Sequence, residues 1–230
     1  MNRKRDTPGI NPQETEIKPM NNQHIRNLII DFGGVLIDLD RQRCIENFRR
    51  IGLEHVEHLL NECHQQGFFL QHERGEITSD EFRSRIRQFI RRPVSDQEIN
   101  EAWNSFLVTI PTGKLDLLLE LRKHYTVYLL SNTNYIHWQW ACQHAFRYKS
   151  YRVEDYFDRI FLSYEMKTAK PSPDIFQRLI AETGLRPEET LFIDDSAENC
   201  RVGASFGLST YTPKAGEDWS HLFQEQLSSK

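Results

Sequence analysis

Short apolar runs that each lead into polar residues constrain the fold of this chain more than any other feature of its sequence. The first run, residues 27–30, is followed directly by Asp31 and then by Gly33 and Gly34. Similar runs recur at residues 126–130, 159–162 and 191–193. An apolar run bounded by turn residues is typical of a parallel strand buried on both faces. The sequence therefore predicts a strand at each run.

The segments between the later runs have the features of helices. Residues 173–183 are an example, because Pro173 occupies the first turn and Gly184 follows the last residue. Strands that alternate with helices predict an α/β fold with a parallel sheet. We therefore expect a Rossmann-like core that begins near residue 25.

Residues 41–109 show only helical periodicity. Capping-box patterns, in which a hydroxyl residue precedes a Glu by three positions, begin two of the helices at Thr78 and Ser95. This all-helical stretch interrupts the α/β pattern just after the first strand, so we expect it to form a cap over the ligand-binding edge of the sheet. The predicted organisation is a flexible polar tail at residues 1–24, an α/β core at residues 25–40 and 110–230, and a helical cap at residues 41–109.

Charge and composition exclude several classes of function. The chain has 230 residues and a formal net charge of −4, so it has no overall positive field that would attract nucleic acid. Its apolar runs are far shorter than the ~20 residues that a membrane helix needs. The cysteines, Cys44, Cys63, Cys142 and Cys200, lie apart without metal-ligand spacing. We expect a soluble cytoplasmic protein with reduced thiols, and no nucleic-acid or membrane partner.

Four polar features lie at or just beyond the ends of the apolar runs. They are Asp31, the Ser131-Asn132 pair, Lys170, and the Asp194-Asp195 pair. Each has an ordinary structural explanation when it is taken alone: Asp as a turn residue, Ser and Asn as helix caps, Lys as a surface charge. Adjacent carboxylates repel each other unless a cation offsets them, so the acid pair is the strongest single signal for a metal.

Taken together and in this order, these features are the groups that phosphoryl transfer requires. The chain resembles the haloacid dehalogenase superfamily, whose motifs run strand-Asp, strand-Ser/Thr, Lys-Pro, and an apolar strand with an acidic pair. The resemblance covers residues 27 to about 212. It implies a Mg²⁺-dependent hydrolase, most simply a phosphomonoesterase that acts on a small phosphorylated metabolite.

The resemblance also implies a role for each motif residue. Asp31 is then the nucleophile, which forms an aspartyl-phosphate intermediate. Ser131, the backbone around Asn132, and Lys170 would hold the phosphate oxygens, and Lys170 would also act in catalysis by keeping Asp31 ionised and reducing the repulsion between the two anions. The Mg²⁺ ligands would be the carboxylates of Asp31 and Asp195, the carbonyl of Gly33, and Asp194 in the first or second shell of the metal. Asn199 would orient these ligands.

A segment of the cap suggests the class of substrate. Residues 71–78, with the sequence QHERGEIT, are similar to the cap segment of the α-D-glucose-1-phosphate phosphatase branch of the superfamily. We call residues 71–78 the cap segment. The resemblance predicts that His72, Glu73 and Arg74 contact the substrate, and that the substrate is a sugar phosphate such as glucose 1-phosphate. An ordinary turn between two helices is the alternative.

One position departs from the family pattern and leaves other functions open. Phosphatases of the superfamily usually carry a second Asp two residues after the nucleophile as a general acid, but this chain has Gly33 there. The 2-haloacid dehalogenases also lack that Asp, although they do not need the metal that the acid pair suggests. A phosphate-binding regulatory protein with little turnover is a further alternative. His72 or Glu73 would supply the missing proton if the cap closes over the site.

Two other groups of residues receive structural interpretations. The histidines at positions 55, 58, 64, 124, 137 and 144 are expected on helix surfaces, as bystanders. The aromatic cluster of Trp138, Trp140, Phe146, Tyr148 and Tyr151 is expected to pack a loop against the core and not to bind nucleic acid bases.

Overall fold

The computed structural model describes residues 24–57 and 67–227, apart from the side chains of residues 225 and 226. Except for His24, the predicted N-terminal tail lies outside the described residues, and so do Cys63, His58 and His64. None of the described helices is long and apolar enough to cross a membrane.

A five-stranded parallel sheet forms the centre of the fold. Its strands are β1 (Asn27–Ile30), β2 (Thr126–Ser131), β3 (Arg159–Leu162), β4 (Thr190–Ile193) and β5 (Ser209–Tyr211). The order across the sheet is β3-β2-β1-β4-β5. The predicted α/β fold and its first four strands are confirmed. β5 was not predicted, because it is a short strand and its residues are only partly buried.

Side chains alternate between the two faces of the sheet, and both faces are buried. In β1, Leu28 and Ile30 belong to one apolar cluster and Ile29 to another. In β4, Leu191 and Ile193 belong to the first of these clusters, and Phe192 belongs to the second. A strand covered on both sides must be apolar at every position, which explains why the sequence shows continuous runs instead of alternation.

Helices make up most of the remaining described structure. They are α1 (Arg41–Arg50), α2 (Phe68–Glu73), α3 (Ser79–Arg87), α4 (Asp96–Asn104), α5 (Thr112–Leu121), α6 (Tyr135–Trp140), α7 (Val153–Tyr156), α8 (Ser163–Met166), α9 (Pro173–Thr183), α10 (Ala197–Ser205) and α11 (Gln224–Leu227), with short π or 3-10 turns at Ala141–Ala145, Pro187–Glu189 and Trp219–Phe223. Helix α9 has the predicted bounds and is capped by Gly184, whose φ of 66° lies in the left-handed region.

We refer to residues 41–109 as the cap. All of its described regular elements are helices, namely α1 to α4. Both predicted capping boxes are present: the Thr78 hydroxyl accepts from the Glu81 N–H, and the Ser95 hydroxyl accepts from the Glu98 N–H. The cap has its own apolar cluster, to which Ile136 of α6 also belongs. The exact domain boundaries remain a prediction.

The chain enters and leaves the cap side by side. Leu39 and Leu107 form an antiparallel bridge. Asp38 exchanges backbone hydrogen bonds with the other segment, since its N–H donates to Thr109 and its carbonyl accepts from Val108. The cap is therefore joined to the sheet through two paired segments that lie close to β1.

The interpretation of the surface histidines was wrong for His137. Its side chain is buried against Trp103 of the cap, with ring centroids 4.2 Å apart, and its Nε2 lies 3.1 Å from the Trp103 carbonyl. His55, His124 and His144 are exposed, as expected. The structural interpretation of the aromatic cluster is confirmed for Trp138 and Phe146, which are buried and pack on Phe32.

Candidate active site

The register of the sheet brings the strand-end residues to one edge. Ile30 of β1 pairs with Leu129 of β2 and with Ile193 of β4. The next residues along these strands therefore meet at the carboxyl edge of the sheet, where parallel α/β folds bind ligands. Asp31, Ser131 and Asp194 all lie there, and all three are buried.

Lys170 connects two of the carboxylates at this edge. Its Nζ lies 2.7 Å from Asp31 Oδ1 and 2.6 Å from Asp194 Oδ2, and it also donates to the Leu130 carbonyl at 2.8 Å. An ammonium group has three N–H bonds. Since each already has an acceptor, a phosphate oxygen can bind Lys170 only by replacing one of them.

Burial and charge shift the pKa values of this group. Burial raises the pKa of Asp31 to about 7, although the Lys170 ammonium opposes the shift. Burial disfavours the charge on Lys170, but the Asp31 and Asp194 carboxylates outweigh it and raise the lysine pKa. A cation bound beside Asp31 would favour its ionised form further. The site is therefore suited to hold Asp31 as an anion when a metal is present.

The side chain of Asn132 holds the lysine in place. Its Nδ2 donates to the Lys170 carbonyl at 2.8 Å, and its Oδ1 accepts from the Lys170 N–H at 2.8 Å. This paired contact fixes the backbone of the lysine against the turn after β2. The Asn132 side chain is thus occupied, whereas the Ser131 hydroxyl makes only a long contact of 3.4 Å with the Asn132 carbonyl.

Three carboxylates form a candidate metal centre. Asp31, Asp194 and Asp195 each offer an oxygen, and these oxygens lie within 4.8 Å of one another. Asp194 Oδ1 accepts from Asn199 Nδ2 and from the Ser196 N–H, both at 2.9 Å. Asp195 is exposed. Oxygen ligands at this spacing fit a hard divalent cation such as Mg²⁺.

The glycine pair leaves room for this centre. Gly34 has a φ of 74°, and a Cβ added there would lie 2.3 Å from Asp195 Oδ2. Only glycine therefore allows the loop to approach the acid pair so closely. Gly33 lies beside it, and its carbonyl accepts none of the backbone hydrogen bonds that hold the loop within the described residues. That carbonyl is free to act as a metal ligand.

The cap segment meets the α/β core, but its residues are placed differently from one another. His72 is 2% exposed, stacks on Phe82 and contacts the Ser79 hydroxyl through Nε2. The ring therefore packs within the cap, and His72 also lines the cavity between the cap and the core. Its predicted contact with substrate remains a hypothesis. Glu73 and Arg74 are only partly buried. Their predicted contact with substrate remains a hypothesis.

A cavity of about 420 Å³ lies between the cap and the core. It is lined by residues from both, including Arg83 of the cap and Tyr135, Tyr164 and Lys167 of the core. Asp31 is not among the residues that line it. The cavity is therefore adjacent to the cap contact and is not the pocket of the nucleophile.

Ser163 was missed in the sequence. Its hydroxyl lies 2.6 Å from the Glu73 carbonyl and 2.9 Å from the Thr133 carbonyl, and it accepts from the Thr133 N–H at 2.9 Å. It thus links the cap segment to the turn after β2. The signal was available, because Ser163 directly follows an apolar strand, as Asp31 and Ser131 do.

Comparison with known proteins assigns the chain to a family. The family described as haloacid dehalogenase-like hydrolase matches residues 25–207. The chain belongs to this family. The matched range contains the four polar features at the carboxyl edge of the sheet.

The chain is similar to hydrolases from Bacteroides thetaiotaomicron and Porphyromonas gingivalis. A D-ribitol-5-phosphate phosphatase of Bacteroides thetaiotaomicron is 39% identical over 195 residues, which cover 85% of this chain and 95% of the relative. A HAD family enzyme of the same organism, crystallised with magnesium and inorganic phosphate, is 60% identical, with a TM-score of 0.84 over 86% of this chain and 99% of that one. A predicted HAD-like family hydrolase from Porphyromonas gingivalis is 36% identical, with a TM-score of 0.82 over 90% of this chain and 100% of that one.

Proposed function

We propose that this hydrolase is a magnesium-dependent phosphomonoesterase that acts on a small phosphorylated metabolite. The observation that carries the proposal is the buried Asp31, held by Lys170 beside two further carboxylates. The relatives support it, because one is a phosphatase and another was crystallised with magnesium and inorganic phosphate.

In the proposed reaction, Asp31 attacks the phosphorus atom of the substrate. An Asp Oδ–P bond forms, the P–O bond of the ester breaks, and the electron pair leaves with the alcohol oxygen. Water then hydrolyses the aspartyl-phosphate and regenerates the carboxylate. Splitting the displacement into two steps requires Asp31 to be ionised, and its contact with Lys170 favours that state.

The cluster of carboxylates would hold the metal, and the turn after β2 would hold the phosphate. Asp31, Asp195 and the Gly33 carbonyl are the proposed metal ligands, with Asp194 as a further ligand or acceptor. Bound Mg²⁺ supplies charge neutralisation between the two anions that react. Ser131, the backbone around Asn132, and Lys170 are proposed to bind the phosphate oxygens.

The proposed substrate class is a phosphorylated sugar or polyol. The resemblance of the cap segment favours a sugar phosphate such as glucose 1-phosphate, and the phosphatase relative acts on D-ribitol 5-phosphate. Both compounds are small, carry several hydroxyls and present one phosphomonoester. Glu73 and Arg74 are the proposed specificity residues of the cap, because they lie in the segment that contacts the core and retain exposed surface.

A screen of phosphorylated metabolites, with Mg²⁺ and with EDTA, tests the proposal. We expect Mg²⁺-dependent release of phosphate from p-nitrophenyl phosphate and from at least one sugar or polyol phosphate. Asp31→Asn is the matched control and should release none, because an amide is a poor nucleophile and a poor metal ligand.

Two other outcomes would replace the proposal. Chloride release from 2-chloropropionate without phosphatase activity would identify a 2-haloacid dehalogenase. Binding of phosphate or beryllium fluoride without turnover of any ester would identify a phosphate-binding regulatory protein.

A further inference from the structure

Internal hydrogen bonds fix the shape of the loop that follows β1. The loop comprises residues 31–37, and we call it the nucleophile loop. The Gly34 N–H donates to the Ile37 carbonyl at 3.0 Å, and the N–H groups of Leu36 and Ile37 both donate to the Phe32 carbonyl at 2.9 Å. These bonds close the loop on itself and set the direction of the peptide groups between them.

The bond of Gly34 also orients a proposed metal ligand. The Gly34 N–H and the Gly33 carbonyl belong to one planar trans peptide group, so they point in opposite directions. Because the N–H is directed at Ile37, the carbonyl is directed away from Ile37, and it accepts none of the backbone hydrogen bonds that hold the loop within the described residues. A movement of residues 34–37 would therefore turn the Gly33 carbonyl.

Two side chains from distant parts of the chain hold the Val35 carbonyl of this loop. Lys114 Nζ donates to it at 2.6 Å, and Trp219 Nε1 donates to it at 3.3 Å. Lys114 lies in the first turn of α5, and Trp219 begins the 3-10 turn near the C-terminal end. The N–H of the same peptide group, that of Leu36, donates to Phe32. This peptide group is thus held at both of its ends.

Burial makes these two donors important for the loop. Val35 is fully buried, Lys114 is 9% exposed and Trp219 is 1% exposed. No backbone N–H of the described residues donates to the Val35 carbonyl. A hydrogen bond from a charged donor is roughly twice as strong as one between neutral groups, so the lysine is the stronger of the two contacts. Loss of both donors would leave a buried carbonyl unpaired.

Mg²⁺ is sensitive to the orientation of its ligands. It requires a nearly ideal octahedral arrangement. Groups that orient a ligand without touching the metal typically change the affinity by about 10–100-fold when they are removed. A carbonyl that is oriented before the metal arrives also avoids the cost of ordering the loop on binding. The contacts of Val35 act on the part of the loop that orients the Gly33 carbonyl.

We propose that Lys114 and Trp219 are positioning residues for Mg²⁺. By holding the Val35 carbonyl, they keep the nucleophile loop in the shape that directs the Gly33 carbonyl to the metal. The inference rests on the metal-dependent function proposed above, and it adds two residues outside the proposed ligands. It connects the helix that follows the cap, and the 3-10 turn at Trp219–Phe223, to the metal centre.

Isothermal titration calorimetry of the substrate-free protein with MgCl₂ measures the effect without reference to activity. The parent is compared with Lys114→Met and Trp219→Phe. Met keeps a similar length but has no N–H to donate, and Phe keeps an aromatic ring beside Phe223 but lacks the indole N–H. Urea denaturation in EDTA records the stability of each variant and shows that it is folded during the titration.

We expect Lys114→Met to raise the Kd for Mg²⁺ by about 10–100-fold. The direction of this change is informative, because the loss of a positive charge would by itself strengthen the binding of a cation. Weaker binding therefore reports the loop and not the electric field of the lysine. Trp219→Phe leaves the charge unchanged and should raise the Kd by a smaller factor, since its contact with Val35 is the longer one.

Two controls separate positioning from charge and from stability. Lys123→Met removes a lysine that pairs with Glu120 at the surface, just beyond α5, and should bind Mg²⁺ as the parent does. Leu121→Val shortens a fully buried side chain of α5 about 10 Å along the helix axis from Lys114. It should lower the stability of the protein and leave the Kd for Mg²⁺ unchanged.

The possible results distinguish this inference from the function on which it rests. A parent that does not bind Mg²⁺ would overturn the metal centre and the proposed phosphatase function. If the parent binds Mg²⁺ and both variants have its Kd, or if Lys114→Met binds more tightly, the inference is wrong and the proposed function stands.

Two further results also decide the matter. An equal loss of Mg²⁺ affinity in Leu121→Val and Lys114→Met would show that general loss of stability, and not the contact with Val35, weakens the site. If Lys114→Met does not fold, Trp219→Phe decides alone: a raised Kd supports the inference, and the Kd of the parent overturns it.

Discussion

Replacement of Lys170 by Met tests how the centre of the site is held together. Lys170 is 4% exposed, and its ammonium contacts both Asp31 and Asp194. Met has a similar length without charge or hydrogen bonds. The variant therefore leaves two buried carboxylates without their shared cation, and the Leu130 carbonyl without a donor.

The expected cost is large. Removing one partner of a buried ion pair typically destabilises a protein by about 3–5 kcal/mol, and an unsatisfied buried carbonyl adds about 1–3 kcal/mol. Partial relaxation and water entry offset some of this sum. We therefore expect the free energy of unfolding to fall by about 4–5 kcal/mol, which is a large part of the roughly 5–15 kcal/mol of a typical domain.

Urea denaturation in EDTA at neutral pH measures this cost. Lys123→Met is the control, since Lys123 pairs with Glu120 at the surface and such a pair contributes about 0–1 kcal/mol. Adding Asp31→Asn to Lys170→Met removes one of the orphaned charges, so the double variant should be more stable than Lys170→Met alone. Added Mg²⁺ should also stabilise Lys170→Met more than it stabilises the parent, because the metal replaces the lost positive charge.

A Lys170→Met variant within about 1 kcal/mol of the parent would refute this reasoning, because exposed pairs already have that magnitude. The same conclusion would follow if Asp31→Asn made Lys170→Met less stable. In either case the lysine would not be needed to offset the buried carboxylates, and its place in the site would have to serve substrate binding alone.

Three further predictions concern the metal centre and the cap segment. Asp195→Asn should lower Mg²⁺-dependent activity by about 10²-fold or more, because it removes a proposed ligand; an unchanged Mg²⁺ titration would place Asp195 outside the metal shell. Gly34→Ala should cost about 1–2 kcal/mol in urea denaturation from its left-handed backbone alone, and should weaken Mg²⁺ through contact with Asp195, whereas Gly113→Ala, which meets no atom within 4 Å, should not destabilise. Burial raises the pKa of Glu73 from 4.5 to about 7, so its carboxyl group favours the folded state most below pH 4.5, and this contribution to stability is lost as the pH rises through about 7. Glu73→Gln should therefore gain up to about 3 kcal/mol over the parent in denaturation between about pH 5 and about pH 8, and a constant difference would contradict this pKa.

Strand positions and strand-end residues were predictable because the parallel sheet is buried on both faces. Such strands need apolar residues throughout, and the polar residue that follows each one is therefore conspicuous in the sequence. Asp31, Ser131 and Asp194 were found in this way, and Ser163 fits the same rule. Strand β5 was not found, because Ser209–Tyr211 is only partly buried and needs no apolar run.

Contacts between distant segments were not predictable. The pairing of the Asn132 side chain with the Lys170 backbone depends on how two loops meet, and neither residue type indicates it. The burial of His137 depends on Trp103, which lies in the cap. For the same reason the sequence could not separate the roles of His72 and Glu73. The direction in which each side chain points depends on how their helix packs in the fold.

The central position of β1 has a consequence for how the chain folds. β1 lies between β2 and β4, and its partners begin at Thr126 and Thr190, far along the chain. β1, which Asp31 directly follows, is therefore synthesised early, but it cannot pair until most of the protein has been made. Non-local pairing of this kind makes folding slow. During synthesis the cap helices emerge before either neighbour of β1, so this apolar strand stays unpaired and exposed to aggregation until β2 and β4 have been made.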